Sequence, residues 1–280
     1  MIDCRKLSAH IGAEIFGVDL SKPVAADVAA ELKALWLDHL VLLFRGQTLS
    51  QRALLDATTL FGEIGPLSRP KEYQPAGFKD LEPNIMLISN IRENGVPIGS
   101  LPDGEMNFHH DMLHKEVPHK GTCLYAVEIP SIGGNTCFAS GYAAYEQMNG
   151  DLRQRLEGKR AFHHYNYGSV QRGDDKGVAA YAESNHPVFR THEETGRKAV
   201  YVNRLMTVRI EDMAADESDR LLREVFDFSE NPEFVYEHIW KPGDLVIWDN
   251  RCSMHARTDF PPGERRLMLR TTIQGNARPS

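Results

Sequence analysis

Along most of the chain, apolar and polar positions alternate in short runs; only a few stretches carry helical spacing. Residues 13–20 alternate and predict a strand, closed by Ser21-Lys22-Pro23. Residues 26–40 place Val28, Leu32, Leu35 and Trp36 at helical spacing, an amphipathic helix with Trp36 in its core stripe. Residues 40–44 are wholly apolar and fit a buried strand, and Ser50 stands as N-cap of a second helix running toward Phe61. Further strands are read at 85–89, 121–129, 159–165, 187–191, 198–203, 234–240, 244–248 and 267–274. Further helices are read at 141–148, 152–156 and about 216–226, and a Gly133-Gly134 turn leads into residues 135–139. Many short strands with few helices favour a β-sandwich or barrel with helical cover. A parallel dinucleotide-binding sheet is disfavoured: strands and helices do not alternate regularly, and Gly-x-Gly-x-x-Gly is absent.

From about 62 to 104 the pattern loosens, with Pro66, Pro70, Pro75, Pro83, Pro97 and Pro102 set among glycines and charges. This segment reads as long loops of the kind that cover or line a site. No stretch resembles a linker or an internal repeat, so residues 1–280 are read as one domain. Hydrophobic residues make up 41%, enough for a sizeable core. A net charge of −7 without a dense basic patch argues against nucleic acid as a partner. No apolar run approaches the roughly 20 residues that cross a bilayer, and no signal-peptide core follows the N-terminus; a cytoplasmic location is expected. The four cysteines are scattered without Cys-x-x-Cys, which disfavours a disulfide framework or structural zinc and suits a reducing compartment. Cys252, although three residues before His255, reads as a buried thiol.

The candidate chemistry starts at His109-His110-Asp111. On an extended strand, residues i and i+2 share a face, so His109 and Asp111 converge while His110 turns away. An imidazole beside a carboxylate is two thirds of the facial triad that suits non-haem Fe(II). The tripeptide alone arises by chance and needs a third donor. His255, shortly after Trp248-Asp249-Asn250-Arg251, can supply it, because a barrel brings late strands beside middle ones. Arg266, Met268 and Arg270 share one face of the last strand, with Leu267, Leu269 and Thr271 on the other. Two readings of this arginine pair stay open: a wet face, or a lumen in which each guanidinium grips an anion. His114 and His119 read as surface or supporting residues.

Together these residues resemble the TauD/TfdA (taurine/2,4-dichlorophenoxyacetate dioxygenase) family of Fe(II)/2-oxoglutarate-dependent oxygenases. The family joins His-x-Asp to a distant second His, an Arg shortly after it, and a Thr in Gly-Gly-(Asp/Asn)-Thr. Here these are His109-x-Asp111, His255, Arg266 eleven positions later, and Gly133-Gly134-Asn135-Thr136; the likeness spans residues 13–275. The resemblance implies a mostly β fold with flanking helices, a double-stranded β-helix or jelly roll. It implies Fe(II) on His109, Asp111 and His255, with 2-oxoglutarate on Arg266 and Thr136 and dioxygen as co-substrate. The implied reaction hydroxylates a small organic anion and releases succinate and carbon dioxide. Arg270 would meet the substrate's anionic group, and Tyr73, Asn107 and Met206 would line its pocket. Relatives form dimers or tetramers, so a homo-oligomer is expected. Where taurine-using relatives place a His, this chain has Ser68-Arg69-Pro70-Lys71. The substrate is therefore left among aryloxyalkanoates, sulfonates, sulfate esters and similar carboxylates. Two other readings remain: a zinc- or manganese-dependent cupin-like hydrolase or isomerase, which needs neither Thr136 nor Arg266, and a non-catalytic anion-binding protein.

Overall fold

The computed structural model describes residues 2–67, 74–75, 81–101, 104–167, 169–171 and 178–280, side chains excepted at 167 and 178–182. Tyr73 and Ser68-Arg69-Pro70-Lys71 lie outside these. In chain order, the first half runs β1 (Asp3–Lys6), β2 (Ala13–Phe16), α1 (Ala26–His39), β3 (Val41–Phe44), α2 (Gln51–Thr59) and β4 (Met86–Ser89). It continues with β5 (Arg92–Glu93), β6 (Val96–Pro97), β7 (Met106–His109), β8 (Gly121–Glu128), β9 (Thr136–Ser140), α3 (Gly141–Gln147) and α4 (Gly150–Leu156). The second half begins with β10 (Arg160–Tyr167), β11 (Val178–Pro187), β12 (Phe189–Thr191), β13 (Lys198–Val200), β14 (Thr207–Ile210) and α5 (Ala215–Ser229). The last strands are β15 (Val235–His238), β16 (Leu245–Asp249), β17 (Ser253–Arg257) and β18 (Leu267–Ile273).

Two sheets carry the architecture. The larger has the order β1-β2-β3-β16-β8-β18-β4, the smaller β15-β9-β17-β7. Every strand pair in them is antiparallel except β2 with β3. Strand alternation explains the layering. Leu42, Phe44, Cys123, Tyr125, Leu245 and Ile247 pack on one face of the large sheet against Leu32 and Trp36 of α1 and Leu54 of α2. Val41, Leu43, Leu124, Val246, Trp248 and Met268 point the other way and meet Phe138 of β9. Both faces of the large sheet are thus covered, which is why its strands read as continuous apolar runs. A third core joins α3, α4 and α5 to Phe189, Val200 and Ile210. The result is a mostly β jelly roll with flanking helices, as the sequence implied.

Ser50 does cap α2, its hydroxyl accepting from Ala53 N at 3.1 Å. Elsewhere the boundaries shift. The strand expected over 13–20 stops at Phe16, because Gly17 turns the chain at a φ of 75°. Residues 92–97, expected to be loop, form the β5–β6 hairpin, whose Asn94-Gly95 corner has φ of 52° and 82°. No helix among the described residues is long and apolar enough to cross a membrane.

Candidate active site

β7 and β17 are neighbours in the small sheet, in a register that sets His109 opposite His255. Their imidazole centroids are 4.1 Å apart. The strand expected through Asp111 ends at His109, and Asp111 sits just past it in a turn that Met112 closes at a φ of 61°. The convergence survives this change: Asp111 Oδ1 lies 4.0 Å from Nε2 of both histidines, and the three donor atoms fall within 4.8 Å of one another. His110 turns away, packing on Tyr201 with its Nδ1 facing the Asn203 amide at 3.1 Å.

The donors are prepared for a cation. His109 Nδ1 is 2.9 Å from the Asn107 carbonyl, so it carries the hydrogen and leaves Nε2 as a lone pair. Burial holds the His109 and His255 imidazoles below their usual range, hence neutral near pH 7. Burial would raise the Asp111 carboxyl, but the Arg270 guanidinium beside it outweighs that and holds it well below the usual range. Its second oxygen, Oδ2, accepts from the Thr122 hydroxyl at 2.7 Å, and Asn250 Nδ2 donates to that hydroxyl at 3.1 Å. Two neutral imidazoles and a carboxylate facing a cavity fit a divalent first-row metal such as Fe(II).

Across the site, the large sheet supplies cations. Arg266 immediately precedes β18 and is 2% exposed. Among the described residues its Nε has no hydrogen-bond partner, and its one side-chain bond there is long, 3.5 Å from Nη2 to the Gly134 carbonyl. Burial, then the neighbouring Arg257, pulls its pKa down to about 9. No carboxylate among the described residues answers this charge. Thr136, paired with Arg257 across β9 and β17, accepts from Trp240 Nε1 at 3.0 Å and keeps its own proton to donate. Gly133 and Gly134 hold φ of 73° and 65°, and a Cβ on Gly133 would sit 2.2 Å from the Asp259 carbonyl. The Gly-Gly turn therefore cannot bear side chains, and it brings Thr136 beside Arg266. Arg270 reaches the triad directly, with Nη2 2.7 Å from Asp111 Oδ1.

These groups line a cavity of about 170 Å³. Its walls are largely apolar, with Met86, Met106, Met112, Met206, Ile88 and Leu101 among them. Met206 lines the cavity. Asn107 does not line the cavity; its contribution is the carbonyl that orients His109. His114 and His119 are corrected in one respect: both are buried, and His114 lines the cavity, stacked on Tyr165 at 5.2 Å.

Sequence reasoning missed Arg257, which lines the cavity two residues beyond His255 on one strand. That i, i+2 relation was the available signal. Thr122 and Asn250 had none, since they reach Asp111 only through the β8–β16 pairing.

A second buried group, His192, Asp249 and Cys252, also falls within 4.8 Å. Here the lone pairs are taken. His192 Nδ1 accepts from the Glu194 and Thr195 amides at 3.2 and 3.3 Å, so its Nε2 carries the hydrogen toward Asp249 Oδ2 at 3.0 Å. Arg251 clamps both oxygens of Asp249, through Nε at 2.9 Å and Nη2 at 2.6 Å. Burial drives the Cys252 thiol well above its usual range, consistent with an inert buried thiol.

The sequence profile described as "Taurine catabolism dioxygenase TauD, TfdA family" matches residues 3–272. The (S)-phenoxypropionate/alpha-ketoglutarate-dioxygenase of Sphingobium herbicidovorans is 31% identical, covering 98% of this chain and 95% of its own. Pentalenolactone F synthase of Streptomyces avermitilis is 35% identical over 92% of this chain and 89% of its own. A crystal structure of a taurine dioxygenase from Burkholderia xenovorans superposes with a TM-score of 0.81 at 28% identity, covering 99% of this chain and 92% of that one. The chain belongs to the TauD/TfdA family.

Proposed function

We propose that the protein is an Fe(II)- and 2-oxoglutarate-dependent dioxygenase that hydroxylates a small organic anion with an apolar body. The observation that carries this reading is Arg266, a buried guanidinium with no acidic partner among the described residues, lining the cavity that His109, Asp111 and His255 also face. A buried unpaired charge is costly, and a dicarboxylate co-substrate would supply the missing anion. A zinc hydrolase built on the same triad leaves Arg266 without a purpose.

In this reading His109, Asp111 and His255 would hold the iron. Bound Fe(II) supplies the activation of dioxygen that couples decarboxylation of 2-oxoglutarate, to succinate and carbon dioxide, to insertion of one oxygen into a substrate C–H bond. Arg266 and the Thr136 hydroxyl grip the distal carboxylate of 2-oxoglutarate, fixing which end faces the triad. Arg270 takes the anionic group of the substrate, and the methionines accommodate its apolar part. From the described part of the 62–104 segment, Met86, Ile88, Ser100 and Leu101 line the cavity. The relative that uses (S)-phenoxypropionate, by its name, makes aryloxyalkanoates the first class to try. Hydroxylation at a carbon bearing an ether oxygen yields a hemiacetal that collapses, so for such substrates the outcome is C–O cleavage.

The test is anaerobic addition of Fe(II) and 2-oxoglutarate, which should give the weak visible charge-transfer band of the chelate. Succinate release should then depend on an added aryloxyalkanoate, sulfonate or sulfate ester. Turnover that persists without 2-oxoglutarate would move the protein to the hydrolase class.

A further inference from the structure

Asp111 offers the triad one oxygen. Oδ2 is committed to Thr122, whose hydroxyl is itself fixed by Asn250. Oδ1 faces both imidazole Nε2 atoms at 4.0 Å, so any cation shared by the three donors must be built on Oδ1. That same atom is 2.7 Å from Arg270 Nη2. Arg270 is loosely held otherwise: its Nε has no partner, and Asp111 is the one carboxylate it meets among the described residues. The guanidinium and a divalent cation would crowd one carboxylate oxygen, and their charges repel. Arg257 and Arg266 line the same cavity, so among the described residues that line it Asp111 is the one negative charge facing several positive ones.

We propose that Arg270 is a built-in competitor for the metal at Asp111 Oδ1, and that metal binding lifts its guanidinium off Asp111 and presents it to the cavity. This inference rests on the dioxygenase reading and adds a coupling to it. An Arg270 whose Nη2 is spent on Asp111 presents a partly neutralised guanidinium to a substrate anion, so the metal's arrival makes it the better anion site. By linkage, an anion that captures Arg270 also tightens the metal. The arrangement would keep anionic ligands from settling firmly in a centre that lacks its metal.

The experiment is a titration with Mn(II), a redox-inert probe, followed through the electron paramagnetic resonance of free Mn(II). Arg270→Gln and Arg270→Leu should each bind Mn(II) about tenfold more tightly than the parent, within the usual range of coupling between sites. Using both variants, each checked by thermal unfolding, guards against a folding defect in one. A structural role for Arg270 predicts the opposite, weaker binding through a disturbed Asp111. Equal or weaker binding in both variants overturns the proposal. In the parent, Mn(II) should also accelerate phenylglyoxal modification of Arg270, read by peptide mass spectrometry; an unchanged or slower rate overturns the displacement. His255→Ala provides the control. If the parent binds no Mn(II), the metal reading fails with the coupling; if it binds and His255→Ala does not, but the Arg270 variants bind no tighter, only the competition fails.

Discussion

Two buried constellations in this protein share a recipe and differ in outcome. Each combines an imidazole, a carboxylate and a third donor within 4.8 Å, and each has an arginine on the carboxylate. At Asp249 every strong acceptor is matched by a donor: Arg251 grips both oxygens, and His192 is bonded at both ring nitrogens. At Asp111 only Oδ2 is fully committed, while two imidazole lone pairs and Oδ1 look into a cavity. Donor composition therefore does not make a metal site; unmatched lone pairs facing an accessible space do. The closed group ties the segment around β16 to the loop after β12, whose Glu194 also receives Lys120 and Arg251.

The contrast can be broken most sharply at the third donor. His255→Ala should lower Mn(II) affinity by more than about a hundredfold, exceeding the loss typical of an outer partner. Cys252→Ala should leave Mn(II) affinity unchanged; a comparable loss there would mean that the closed group also holds metal. Next comes stability. Asp249→Ala leaves Arg251 charged and buried and should cost about 3–5 kcal/mol in urea unfolding. Asp111→Ala should cost clearly less, because Arg270 can turn toward the cavity. Equal costs would erase the distinction between a structural and a functional carboxylate. Arg266→Ala should weaken 2-oxoglutarate by about 2–5 kcal/mol in equilibrium binding. It should leave Mn(II) affinity nearly intact, which separates the anion anchor from the metal donors.

The smallest effect is the share of the pH dependence carried by two histidines outside both groups. His163 and His186 are buried and stacked at 5.6 Å; burial pushes His186 down to about 4 and His163 well below its usual value. In the unfolded chain both titrate near 6.5. Between those values the unfolded state binds more protons, so stability rises with pH. It is complete above about 6.5 and lost as pH falls toward about 4. His186→Gln should flatten this slope in urea midpoints measured across that window, and an unaltered slope would assign the acid sensitivity elsewhere.

Much of the site was legible because its groups sit close together in sequence or at strand period. His109 and Asp111 are two apart, and Gly133-Gly134 precedes Thr136 with a turn only glycines can make. The separation of Arg266 and Arg270 also survives, although the β18 register shifts between Leu267 and Met268. What could not be read depends on tertiary pairing. Thr122 and Asn250 meet at Asp111 because β8 and β16 are neighbours, a fact with no local trace. β1 was missed because Asp3-Cys4-Arg5-Lys6 lies mostly exposed at a sheet edge and carries no apolar alternation. β17 was missed for the opposite reason: it is buried throughout yet contains Ser253, His255 and Arg257, so function has overwritten the apolar pattern that marks a buried strand.

The imidazole donors come from adjacent strands of the small sheet, while Arg266 and Arg270 come from the edge and body of β18 in the large one. Phe138 and Met268, both without solvent exposure, pack in the layer between the sheets. That layer sets the spacing between the sheet that carries the imidazoles and the sheet that carries the arginines. Shaving Met268 or swelling Phe138 would shift that spacing without touching any residue that lines the cavity.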